Sequence, residues 1–502
     1  MKHTFCLSSL GSWSLAVITL VGCWFFAAWL YGDVFYMAAQ YSFFSFEEEA
    51  MHFVREQPGG WFYVVGRFLL CLFHEPWLGG FVWALLLAGS VCLFQYGANL
   101  RGKYEWLSVL PVCLVGLGFL HRGLNLYYQS EPSWVFLVPL ALFAGMFLLA
   151  LGRFFSLQRA ERGRGDAFSC VMAVVLFFSL GMYAWWGKEN ERLTASLQRD
   201  YLRQDWQSMQ QTARKASHPT RAVAAYHAIA WVHSGQLLNH WLDIPYQYPD
   251  LGLVDWGGLP DDGSDLYYAE ACLTAGLVYP AYHQAMERMV IEGPSCYTLK
   301  LLTYAALLNG EYALANKYLY QLSQHPFEGS FVRRYGAMVA HPERVWADPY
   351  FHRVLELAPM TDSFEQAYRA PLFIGYNVQT NQVRSAAALE VSLAACLYAK
   401  QLSSVVQRAQ VYRGKQLPAV VEQAIALYAL EHPEALAHFQ IRPQVVQEVH
   451  RFVQQYVSQP PKDIESLRET YRHFYPFYYY YQNQVDETQW KRYQPRRSGG
   501  VN

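Results

Sequence analysis

The chain has little charge for its length and almost none in excess. Charged residues make up 16% of its 502 positions, and 39 basic against 40 acidic side chains leave a net charge of −1. The balance persists after residue 187, where 29 basic and 30 acidic residues remain. No basic face for a polyanion follows from that composition, which excludes a nucleic-acid partner. Cysteine is sparse and irregular. Nine are present, with Cys6, Cys23, Cys71, Cys92, Cys113 and Cys170 in the first 187 residues and Cys272, Cys296 and Cys396 beyond. An odd, widely spaced set reads neither as a disulfide framework nor as a zinc site, but as small buried apolar residues. Phosphate loop, nucleophile elbow and zinc motif are all missing. Beyond residue 187 there is also no apolar run long enough to cross a bilayer.

Before residue 187 such runs are abundant. A hydrocarbon core of roughly 30 Å needs about 20 apolar helical residues. Stretches 11–32, 76–100, 132–152 and 167–187 meet that need, and 106–120 does so with its flanks. Lipid offers no partner for open backbone groups, so each is read as a helix. The first carries Leu20-Val21-Gly22-Cys23, the order of a lipoprotein cleavage box. Trp24 to Tyr31 nevertheless stays apolar, so the segment is read as an uncleaved span. Segment 61–73 is short and holds Arg67 at its middle. Trp61, Val64, Val65, Phe68, Leu69 and Leu72 form one helical stripe, which favours an interfacial or re-entrant helix over a sixth span.

Lys and Arg in short loops set orientation. With five spans and the N-terminus inside, Lys2, Arg101, Lys103, Arg153, Arg159, Arg162 and Arg164 face the cytoplasm, and Arg55, Arg67 and Arg122 face out. A six-span arrangement keeps this bias only with the N-terminus outside. Both arrangements place the chain after residue 187 on the outer side.

The remainder reads as helical. Leu301, Leu302, Ala305 and Leu308, a turn at Asn309-Gly310, then Tyr312, Ala315, Tyr318, Leu322 and Pro326 make a helical hairpin that resembles a tetratricopeptide repeat. Looser pairs occur at 222–241, 266–291 and 389–409. Breaks are expected at 245–263, 341–348, 370–382 and 459–463. The basic, Gly-ending stretch 491–502 is expected to be disordered. Asp255, Asp261, Asp262 and Asp265 lack the spacing of a calcium loop and read as turn residues with a helix cap at Ser264.

The first outer loop holds the most suggestive chemistry. Asp33 follows span one, then an aromatic-rich segment suited to headgroup depth, then Glu47-Glu48-Glu49, Arg55 and the Pro58-Gly59-Gly60 break. This order resembles the start of lipid-linked GT-C-type glycosyltransferases. The resemblance implies that Asp33 or one of Glu47, Glu48 and Glu49 serves as base or metal ligand; the plainer reading is a solvated acidic patch beside an anchor. Segments 58–79 and 224–243 also resemble an uncharacterised family of bacterial multi-span proteins with a tetratricopeptide-like C-terminal region. That resemblance implies architecture and no activity. A transporter is disfavoured, because the five spans hold no charge in their apolar cores.

The chain is thus expected to be all-α: a membrane domain at 1–187 with five spans and an interfacial helix (or six spans), an extracytoplasmic helical-repeat-like domain at 188–490, and a tail at 491–502. The expected role is that of a multi-pass protein of the bacterial inner membrane that acts as a scaffold for envelope proteins or glycans, with membrane lipid as a further partner and no cofactor. The alternative is a glycosyltransferase with Asp33, Glu47, Glu48 and Glu49 as catalytic acids, and only in that case a divalent metal.

Overall fold

A computed structural model of the chain describes residues 7–128, 130–155, 167–244, 264–359, 385–458 and 464–482. Among these residues every regular element is a helix. Five helical stretches are long and apolar enough to cross a membrane: Trp13–Leu30, Pro76–Ala98, Gly102–Tyr127, Glu131–Phe155 and Ala167–Gly187. The third exceeds its apolar run because tighter helical turns, Gly102–Val109 and Gly123–Tyr127, extend the α-helix Leu110–Arg122 at both ends. A helical C-terminal region follows, as the sequence predicts.

The chain folds as two compact units. One comprises Met1–Arg199, Met286–Thr303 and Ala313–Val339; the other comprises Asp200–Ala285, Tyr304–Tyr312 and Ala340–Asn502. In the first unit the apolar helices approach through small residues, since lipid supplies no hydrophobic drive between them. A Cβ on Gly80 would lie 3.0 Å from the Ala28 nitrogen, and one on Gly97 would lie 2.8 Å from Leu149 Cγ. Phe26, Tyr31, Phe35, Trp83 and Phe119 fill the interior in stacked, edge and tilted ring contacts. Trp83 Nε1 donates to the Val135 carbonyl at 2.9 Å, which satisfies the buried indole. Outward, Trp13, Val17, Val21, Leu85 and Leu114 are exposed, the pattern of a bundle whose solvent is lipid.

Segment 60–74 shows how an apolar helix accommodates an arginine. The helix Gly60–Leu70 runs into a tighter turn, Cys71–His74. Trp61, Phe62, Val65 and Phe68 are exposed, whereas Gly66, Arg67, Leu70, Cys71 and Phe73 are buried. The apolar stripe faces outward and the guanidinium faces the protein. At this length the segment falls short of the five long apolar stretches.

After residue 187, helix pairs reverse by one repeated turn. Gly235, Gly276, Gly310 and Lys400 adopt positive φ at 67, 78, 74 and 58°. The next residue in each case donates back five positions: Gln236 to Trp231, Leu277 to Cys272, Glu311 to Ala306 and Gln401 to Cys396, at 2.8–3.1 Å. This turn satisfies carbonyls that a helix end leaves open. It joins Arg221–Ser234 to Leu237–His240, Ser264–Thr274 to Val278–Glu292, Cys296–Leu308 to Tyr312–Ser323, and Ala386–Tyr398 to Leu402–Arg408. The expected breaks at 245–263, 370–382 and 459–463, the tail at 491–502, and Asp255, Asp261 and Asp262 lie outside the described residues. At 341–348 the proline turn leads at once into the short helix Glu343–Ala347.

The core of the second unit is aromatic and hydrogen-bonded. The Tyr201 and Tyr350 hydroxyls meet at 2.7 Å, and His233 stacks on Trp206 at 4.2 Å. Trp231 Nε1 donates to His227 Nε2 at 3.0 Å. The last described helix, Tyr475–Tyr481, docks by donating from Tyr475 to the Leu397 carbonyl and from Tyr478 to that of Tyr398, at 3.0 and 2.7 Å.

Burial pulls the pKa of both His227 and His233 down to about 3. An unfolded histidine titrates near 6.5, so below that pH the unfolded chain binds protons that the folded chain refuses. This stabilisation is complete above pH ~6.5 and falls by about 3 kcal/mol per pH unit for the two residues together as the pH drops toward 3. Thermal unfolding midpoints in detergent should therefore decline steeply from pH 6 to pH 4. His227→Gln should roughly halve that slope; an equal slope in the variant would contradict the assignment.

Candidate functional site

Polar atoms collect in the first unit around the chain that follows the first span. Gln40 ends the helix Gly32–Gln40, and the residues after it leave regular structure. Their backbone groups find partners far along the chain: the Cys296 N–H donates to the Ser42 carbonyl at 3.1 Å, and Arg67 Nη1 to that of Phe43 at 3.4 Å. Buried carbonyls need such partners where water is excluded.

Cys296 and Lys300 stand one turn apart on the helix Cys296–Leu308 and so share a face. Lys300 Nζ donates to Gln40 Oε1 at 2.7 Å and lies 2.9 Å from the Glu328 carboxylate. Gln40 Nε2 donates to Glu328 Oε1 at 3.3 Å. All three side chains are buried. Burial opposes both charges, yet Glu328 together with Tyr36 and Cys296 raises the Lys300 pKa, while Lys300 together with His325 and Gln40 lowers that of Glu328. Both groups are therefore charged at neutral pH.

His325 and Glu328 sit in the connection between the helices Tyr312–Ser323 and Gly329–Ala340. His325 Nδ1 accepts the Phe327 N–H at 3.3 Å, and Nε2 lies 3.6 Å from Cys71 Sγ. The Cys71 thiol donates to the Arg67 carbonyl at 3.3 Å. His74 stacks on Phe327 with ring centres 4.7 Å apart. Burial, then Lys300 and His74, bring the His325 pKa down to about 4. Burial lifts the Cys71 thiol to about 12 and the Cys296 thiol upward as well. The cluster thus presents neutral thiols and a neutral imidazole beside a carboxylate, with no ready thiolate nucleophile. Donor atoms of Cys296, His325 and Glu328 lie within 4.8 Å of one another, a spacing open to a metal ion.

The four acids singled out in the sequence lie elsewhere. Asp33 pairs with Arg199, and Glu48 pairs with Arg55 at 2.7 Å. Glu47 and Glu49 line an open cavity of about 590 Å³, with Asn316, Lys317, Tyr320 and Gln321 among the opposing residues. Arg122 pairs with Glu131 at 3.3 Å. Gln40, Cys71, Cys296, Lys300, His325 and Glu328 were not evident from spacing. Two signals do point there: Lys300 is the one charge in the otherwise apolar helix CYTLKLLTYAALL, and Arg67 interrupts an apolar segment.

Fold and site together describe an α-helical protein with five segments able to span a membrane and a helical region beyond them. The chain belongs to DUF6057, a family of unknown function, which it matches over residues 8–187 and 186–482. No curated protein and no solved structure matches it.

Removing one member of a buried ion pair strands the other. Lys300→Met should destabilise the protein by about 3–5 kcal/mol, read as unfolding free energy in detergent. Lys300→Met with Glu328→Met should recover most of that loss. A single variant as stable as the parent would show that Glu328 does not depend on Lys300.

Proposed function

We propose that the protein is a multi-pass membrane protein of the bacterial cell envelope that binds a glycan on the outer side of the membrane. Its first loop and the helical hairpin that follows Cys296 supply the site. The observation that carries this reading is the cavity lined by Glu47, Glu49, Asn316, Lys317, Tyr320 and Gln321. Carboxylates, amides and an ammonium group offer the mixed acceptors and donors that sugar hydroxyls use. Tyr320, 62% exposed, adds a ring face to receive the apolar side of a sugar. The cavity volume falls within the usual range of small-ligand sites. The outer location is supported by the excess of Lys and Arg in the opposite loops. The tetratricopeptide-like order of 301–326 supports a helical-repeat scaffold, an architecture that builds extended concave binding surfaces.

A second reading is favoured by the same cavity. Asp33 and Glu48 are held in ion pairs, whereas Glu47 and Glu49 are on its wall. In a GT-C-like glycosyltransferase those two acids would be the base or the ligands of a divalent metal.

Soluble envelope oligosaccharides titrated into the detergent-solubilised protein should bind, and Tyr320→Ala with Asn316→Ala should weaken binding at least about tenfold, or ~1.4 kcal/mol. Glu47→Gln with Glu49→Gln should abolish sugar transfer under the enzyme reading and only weaken binding under the scaffold reading. A reporter inserted after Glu191 should lie outside. An inside location, or no glycan binding at all, would overturn the proposal.

A further inference from the structure

We propose that Cys71, Cys296, His325 and Glu328 form a binding site for one zinc ion, built where the interfacial helix meets the helical hairpin that begins at Cys296. Three kinds of donor converge there, thiol, imidazole and carboxylate, and all four side chains are buried. Sulfur and nitrogen together with a carboxylate are a zinc-type donor set. In such a site, bond lengths near 2.3 Å to sulfur and 2.0–2.1 Å to nitrogen put S and N about 3.5 Å apart. Cys71 Sγ and His325 Nε2 stand 3.6 Å apart. The donor atoms of Cys296, His325 and Glu328 lie within 4.8 Å of one another, so these close by about 1 Å on a shared ion.

Charge selects the stoichiometry. Arg67, Lys300 and Glu328 are buried around the two thiols. A dication that displaces both thiol protons leaves the buried net charge unchanged: two S–H bonds break, two metal–sulfur bonds form, and two protons leave for solvent. Displacing one proton alone would add a positive charge beside Lys300 and Arg67. Charge balance therefore favours both thiols, with Cys71 joining the Cys296, His325 and Glu328 group through its 3.6 Å approach to His325. Lys300 stays on Glu328 as its outer partner, the arrangement in which a coordinating carboxylate is held by a hydrogen bond. His325 Nδ1 now accepts from Phe327 at a long 3.3 Å, which places the ring proton on Nε2. On metal binding that proton shifts to Nδ1, Nε2 takes the ion, and the Phe327 bond opens.

The test uses the full-length protein in detergent, stripped of metal by a chelator and titrated with Co²⁺ alone, then with Zn²⁺ in competition. The proposal expects one Co²⁺ per chain, a thiolate-to-cobalt charge-transfer band, visible bands of tetrahedral cobalt, and release of two protons per ion in a weakly buffered indicator assay. Cys71→Ser and Cys296→Ser should each cut affinity at least about tenfold and weaken the band, while Cys272→Ser should leave both unchanged. If the metal-free parent protein takes up no stoichiometric Co²⁺ with a thiolate band, the site does not exist, whether or not the variants fold. Release of one proton, or a band that persists in both serine variants, would likewise overturn the four-ligand arrangement.

Discussion

The buried contact among Lys300, Glu328 and Gln40 is the constraint around which the first unit is organised. Taking an ammonium and a carboxylate out of water costs several kcal/mol per ion, so the pair is tolerable only with close geometry and further hydrogen bonds. Gln40 provides them, reaching Lys300 at 2.7 Å and Glu328 at 3.3 Å. A contact that costs this much when misplaced has few alternatives. It fixes the start of the hairpin and the 325–328 connection against the residue where the first loop begins, 260 positions earlier in the chain than Lys300. The backbone after Gln40 then finds its partners, Cys296 for Ser42 and Arg67 for Phe43, instead of lying open.

The helix Gly60–Leu70 answers the same need from the other side. Its exposed apolar stripe faces outward, which turns Arg67 and Cys71 inward toward the polar cluster. A guanidinium that would be costly in lipid gains carbonyl and cluster contacts inside the protein. Its neighbour Cys71 is thereby brought to His325. Membrane compatibility and assembly of the cluster are two consequences of one helix orientation.

The first loop also links the two sites of interest. Phe43 lines the cavity that holds Glu47 and Glu49, while its carbonyl accepts from Arg67 beside the buried cysteines. An open polar cavity and a closed polar cluster therefore share one short stretch of backbone. A shift at either would be felt at the other through residues 40–50, because packed interiors transmit displacement in place of absorbing it. The arrangement gives the loop a physical role beyond joining an anchor to the bilayer.

Much of this was readable in one dimension. Span positions follow from apolar length, because a bilayer imposes a minimum. The helix pairs follow from periodicity and, at Asn309-Gly310, from a turn signal at a residue that adopts positive φ. The inward turn of Arg67 was not readable, since the sequence showed only a charge beside an apolar stripe and its burial comes from packing. The grouping of Cys71 with Cys296, His325 and Glu328 also leaves no trace in spacing, since the ligands come from three separated segments. Spacing motifs report only neighbours on one element. The assignment of 286–303 and 313–339 to the same packed unit as the first 199 residues likewise depends on long-range contact and not on composition. The sequence alone thus determined what must be helical and what must meet lipid, both local matters of length and hydropathy. Only the tertiary structure decided which buried polar groups meet, because their partners are chosen by packing across hundreds of residues.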